Sequence, residues 1–352
     1  LGRKMTTMRK LLRSGLTAVV GVLVPGVAGA CMVCIEVPDD SLADRASEAE
    51  VVALLRPLPD DPFRYAPVAF LKGGPEVPAV PFLVSRPAAA TFAADPSAVA
   101  VGVIDAGGGW SLADQGTEAL GEVLRRALAA DLTTPEARLA FFGPLVVHPD
   151  PAIQQMALIE MATLPYPVLR ETGVRPSRRE VAARAFDVLW AEWAPVLILL
   201  LGTTKDPEDA RFVRAAVDRL AASGHSTHLA AWTTALIEVD GIAALDRLEN
   251  LFLDPPEGPP DTFRALSVAF AEHAARRDPV GDASLAVLKR LVERRPEAGG
   301  YLARALMDRE DWSSVAHLAL IRDTGRIVDP ADAFIIDHYL AAASDAVSAV
   351  SD

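Results

Sequence analysis

The chain has 352 residues, 51% of them hydrophobic, and a formal net charge of −13. That length admits one large or two ordinary domains. The acidic balance argues against nucleic acid and anionic lipid as partners. Because the charge is spread along the chain, its remaining role is solubility.

The first residues are basic, through Arg3, Lys4, Arg9, Lys10 and Arg13, with Met5 or Met8 available as initiator. From Ser14 to Ala30 there is no charge, and LTAVVGVLVPGVAGA breaks at Pro-Gly before small residues, which is the pattern of an export signal. The run is too short and too broken for a membrane span. Ala28 and Ala30 satisfy the A-x-A cleavage rule, so cleavage would make Cys31 the first residue of the mature chain. Losing residues 1–30 removes five basic side chains and no acidic one, moving the net charge from −13 to −18. The same letters satisfy a loose lipobox, in which Cys31 is acylated and anchors the protein to a membrane. Otherwise the protein is expected to be periplasmic or extracellular and free of the membrane.

Between residues 31 and 115 short β-favouring runs alternate with turn residues: EVVALLRP (50–57), RYAPVAFLK (64–72), VPAVPFLVSR (77–86) and SAVAVGVID (97–105). Their spacing predicts four or five strands in a small antiparallel barrel or sandwich. The Gly107–Gly109 run lacks the Lys-Ser/Thr of a phosphate loop and is read as a hairpin turn.

After residue 115 the pattern turns helical. Starts are marked by Thr134, Asp150, Ser177 and Asp206, three of them followed directly by proline, and Ser177 with Glu180 forms a capping box. Further starts fall near Ser226, Asp240, Asp261, Asp282, Pro296, Asp311 and Asp329. Apolar residues recur at spacings of three and four, as in Phe212, Val213, Ala216, Val217 and Leu220, so each helix has one stripe to bury on a neighbour. Short capped helices in tandem predict an α-solenoid. The expected organisation is a signal at 1–30, a small β domain at 31–115, helices at 116–343 and a tail at 344–352: an α+β multidomain chain.

HPDPAIQQMALIEMATLPY, His148 to Tyr166, resembles a HEAT-type repeat unit, in which a D-P turn opens an Ala-rich helix. That resemblance, extended over residues 117–343, implies a scaffold that binds a protein or peptide partner. More distantly, a cysteine at the mature N-terminus followed by LADRASEAEVVALLRP and FLKGG is similar to the netrin-like OB barrels of metalloproteinase inhibitors. In that family the N-terminal cysteine chelates a protease zinc. This chain departs from it in having C-x-x-C rather than C-x-C and in lacking the partner cysteines.

Cys31 and Cys34 form the one C-x-x-C pair, which can be a local disulfide, half a metal site or a redox pair. His225 and His228 form H-x-x-H, a spacing that can share a metal, but no third ligand lies nearby in sequence. Glu160 in ALIEMA and Glu192 between Trp190 and Trp193 sit among apolar residues, where a carboxylate either has a raised pKa or accepts bonds from a neighbouring Arg. Ser111, Ser226 and Ser284 have no G-x-S-x-G setting. Trp190, Trp193, Trp232, Trp312, Phe186, Phe212, Phe252, Phe263 and Phe270 fall at helical spacing and are expected in the core. No catalytic set and no cofactor is expected. The favoured reading is an exported binding scaffold; the alternatives are a thiol or metal protein centred on Cys31 and Cys34 and an inhibitor acting through Cys31.

Overall fold

The computed structural model describes residues 41–187, 190–253 and 259–351. Ala28, Ala30, Cys31 and Cys34 therefore lie outside the described residues, and with them the export, lipid, thiol and inhibitor readings.

The first described unit is an open antiparallel sheet of β1 (Val51–Pro57), β2 (Tyr65–Lys72), β3 (Ala98–Ile104) and β4 (Trp110–Thr117), in the order β2-β1-β3-β4. The antiparallel pairing agrees with the sequence expectation, but among the described residues β2 and β4 remain edges, and the sheet there is open rather than a closed barrel or sandwich. The central strands are apolar on both sides because both faces are covered. Val52, Leu54, Val99, Val101 and Val103 join the main core. Ala53, Leu55 and Ala100 form a second, smaller core with Tyr65, Val80, Val84 and Ala88, beneath α2 (Arg86–Ala94).

The segment 77–86 is not the strand its composition suggests. Pro78 and Pro81 lack the N–H groups a ladder needs. One bridge, Arg64 to Leu83, pairs it with the chain before β2, and Ser85 ends it by capping α2, its Oγ accepting from Ala88 N at 3.3 Å. Trp110 Nε1 donates to Pro78 O at 2.8 Å and holds the segment over the second core. The glycine run is the predicted hairpin turn: Asp105 O accepts from Gly108 N at 2.9 Å, with Gly108 at φ 75° joining β3 to β4.

Helices make up the rest. The predicted caps hold: the side chains of Thr134, Asp150, Ser177 and Asp206 accept first-turn N–H groups of α4 (Pro135–Phe142), α5 (Pro151–Ala162), α7 (Arg178–Arg184) and α9 (Pro207–Ser223). Between them lie α3 (Glu118–Ala129), α6 (Tyr166–Arg170) and α8 (Ala194–Gly202); α1 (Leu42–Glu48) precedes the sheet. Then follow α10 (Leu229–Asp240), α11 (Ile242–Leu248), α12 (Pro260–Ala274), α13 (Pro279–Arg294), α14 (Gly299–Asp308), α15 (Val315–Asp323) and α16 (Pro330–Ser351). Asp278, not Asp282, caps α13, its Oδ1 accepting from Gly281 N at 2.8 Å. The expected tail from residue 344 belongs to α16 as far as Ser351.

The packing order is alternate. α8, α10, α12, α14 and α16 each touch the next in a row, and amphipathic α9, α11 and α13 lie alongside. Every residue of α8 is buried, as expected for a helix apolar all round. It crosses α10 closely because position 202 has no side chain: a Cβ on Gly202 would stand 2.6 Å from Ala235 Cβ. One contiguous core runs from Leu42 through the inner face of the sheet to Tyr339.

Two opposite sides of α10 are occupied. Trp232 of α10 meets Phe212 of α9 ring to ring at 5.8 Å, and Arg214 of α9 pairs with Asp240. At about 3.6 residues per turn, Thr234 and Glu238 project from the opposite side of α10. There Glu238 pairs with Arg170 of α6, while Tyr166 of α6 stands edge-on to His273 of α12 at 5.8 Å. The short α6 thus meets α10 and α12 on the side of α10 opposite α9.

Candidate functional site

The residues singled out from sequence do not converge. His225 is exposed in the turn after α9, and His228, with φ 53°, directly precedes α10. Burial depresses the His228 pKa, opposed by a hydrogen bond with the Ala185 backbone. Among the described residues no three His, Cys, Asp or Glu side chains gather as a metal site. Glu192 is exposed. Of the aromatics, Trp232 and Phe270 are fully buried, but Phe186 is 63% exposed, because it follows α7 on a turn rather than on a packed face.

Two buried charge clusters organise the interior instead. Glu160 of α5 has no exposed side-chain surface, and its Oε2 accepts from Arg138 Nη1 at 2.6 Å. Arg138 of α4 pairs also with Asp44 of α1, whose Oδ2 accepts from Ser41 Oγ at 2.9 Å. Burial pushes the Glu160 carboxyl above the usual range, opposed by the Arg138 charge. At Asp44 burial works the same way, but hydrogen bonds from Arg138 and Ser41 outweigh it and hold the carboxyl low. Glu160 thus shows both features its sequence setting suggested, a raised carboxyl and a bond accepted from an arginine.

The second cluster is not among the sequence expectations. His273 is wholly buried, its Nε2 lying 3.2 Å from Thr234 O, and Glu238 faces Arg170, Arg276 and His273 together. Arg276 also pairs with Asp278. Burial lowers the His273 pKa to about 4, so the ring is neutral at pH 7, the Glu238 charge opposing the shift. The signal was present in α12, where Phe263, Leu266, Phe270 and His273 follow one stripe. With no accessible surface on Glu160 or His273, both clusters act as struts: they hold α1 and α6 in place.

A groove of about 550 Å³ opens beside the first cluster, between α4 and the connection from α6 to α7. One wall comes from the end of α4 and the following 3-10 turn, Gly143–Val147, with Leu139, Ala140, Pro144 and Val147; the other from residues 171–175. The connection lies close over Gly143, where a Cβ would meet Val174 Cγ2 at 3.3 Å. Thr172 shapes it, its Oγ1 accepting from Val174 N at 3.2 Å. Val147 is 47% exposed, and Glu171 and Arg175 stand exposed at the margin. A groove with apolar walls and charged margins can hold a peptide side chain and fix the backbone around it. Nothing in the sequence pointed to it, because its walls come from segments some thirty residues apart, each ordinary in composition. Comparison with known protein families, curated proteins and solved structures finds no match for the chain.

Proposed function

We propose that the protein is a non-enzymatic scaffold that binds a protein or peptide partner, and that it acts outside the cytoplasm. The tandem helices packed in an alternating row from α8 to α16 support the scaffold part. The single observation that carries the binding part is the apolar groove between α4 and residues 171–175, solvent-open and lined by exposed Val147. Binding is assigned to this groove because it is open to solvent, whereas α10 meets α9 on one side and α6 on the other.

The test is site-specific photocrosslinking in the native host. A crosslinker at Val147 is expected to trap one discrete partner that a crosslinker at exposed Ala341 on α16 does not. The same pattern from both positions, or none from Val147, would remove the groove from the reading. Intact mass of the mature protein tests the export part: cleavage after Ala30 removes residues 1–30, and acylation of Cys31 adds lipid mass.

A further inference from the structure

Resting on that reading, we infer the chemistry of the partner: an acidic peptide segment carrying apolar side chains, with its carboxylate on Arg175. The chain as a whole is acidic at −13, yet between residues 170 and 184 it carries five arginines (Arg170, Arg175, Arg178, Arg179, Arg184) against Glu171 and Glu180, a local excess of three positive charges. Three of the five are spent inside the fold. Arg170 pairs with Glu238, Arg178 with Glu208 and Asp209, and Arg184 with Glu180, its guanidinium also lying 3.7 Å from the Trp190 ring centroid.

Arg175 is different. It lines the groove, is exposed, and makes no ion pair among the described residues. The acidic group that feels it is Asp206, whose carboxyl is held low first by backbone N–H donors and then by Arg178 and Arg175. An uncommitted guanidinium beside an apolar wall suits a carboxylate flanked by an aliphatic side chain, since it forms charge-assisted paired hydrogen bonds and keeps its charge at every physiological pH. The net negative charge of the chain works against non-specific capture of such a partner, which adds discrimination. Glu171 is the opposing charge on the groove and sets a limit on affinity rather than a second anchor.

The experiment is fluorescence anisotropy of the whole protein with a labelled peptide of alternating leucine and glutamate, alongside leucine–lysine and serine–glutamate peptides and a labelled single-stranded oligonucleotide. Binding of the leucine–glutamate peptide alone is expected. Arg175→Glu should weaken it at least about tenfold, the effect of losing one charge-assisted contact and gaining a repulsion. Val147→Asp should weaken it comparably, and Glu171→Gln should strengthen it. All three positions are exposed, so unchanged thermal melts will separate binding from folding. Equal binding of the leucine–lysine peptide, indifference to Arg175→Glu, or no peptide binding overturns the inference. Arg175-dependent oligonucleotide binding without leucine dependence does so too. The Val147 crosslink tests the groove itself independently of the peptide's chemistry.

Discussion

The two buried charge clusters hold two short helices, and they are built in opposite ways. At α1 a single cation, Arg138, lies between two carboxylates, Asp44 and Glu160. At α6 the carboxylate of Glu238 faces two cations, Arg170 and Arg276, the second also paired with Asp278, with neutral His273 behind them. The fully buried member is an acid in the first and a base in the second. A buried acid depends on the arginine that supplies its counter-charge, whereas a buried histidine can shed its charge and depends instead on pH.

The largest effect should follow from removing the cation at α1. Arg138→Ala strands Glu160 without a counter-charge, and about 3–5 kcal/mol of unfolding free energy should be lost in denaturant titration. Adding Glu160→Gln should recover part of that loss. A cost below about 1 kcal/mol would mean that the carboxylate is not held as described.

Acid should act mainly on the α6 cluster. His273 has a folded pKa of about 4 against about 6.5 unfolded, so above pH 6.5 both states are neutral and nothing is lost. As pH falls from about 6.5 to about 4 the unfolded state takes up a proton that the folded state refuses. Stability should fall by up to about 3 kcal/mol, and His273→Leu should flatten that fall. At α1 the two acids oppose each other: the low Asp44 carboxyl loses stability as pH drops through its range, and the raised Glu160 carboxyl gains it. Unfolding free energy of the wild type and His273→Leu, measured across this range, checks both statements.

A capping change should cost less than either cluster. Ser177→Ala removes the acceptor for Glu180 N, at 3.2 Å, and should cost about 1 kcal/mol. The smallest effect should come from the solvent-exposed pair Arg322–Asp337 joining α15 to α16, where Arg322→Ala should change stability by less than about 1 kcal/mol, less still in high salt. If that pair proves as costly as Arg138, burial is not what separates the clusters from the surface.

Much of the local structure was legible in the chain. Thr134, Asp150, Ser177 and Asp206 open helices where they stand, and Gly107–Gly109 turn a hairpin, because caps and turns are satisfied by groups two or three residues away. The misreadings have the opposite cause. VPAVPFLVSR has strand composition, yet its prolines and the second core make it a roof rather than a strand. β4, WSLADQGT, is not among the four β-favouring runs named from composition, and it becomes a strand because β3 presents a ladder to it.

The sequence by itself determined an acidic chain, a β-rich stretch up to about residue 115, a succession of capped amphipathic helices after it and the places where most of them begin. Only the tertiary structure decided that the sheet stays open among the described residues, that α6 returns to α10 and α12, that Arg138 reaches Asp44 across 94 positions of sequence, and that Arg175, which makes no ion pair among the described residues, stands on the groove. The division is physical: capping and periodicity act over one helical turn, whereas burial and ion pairing depend on which distant segments the shared core brings within a few ångströms.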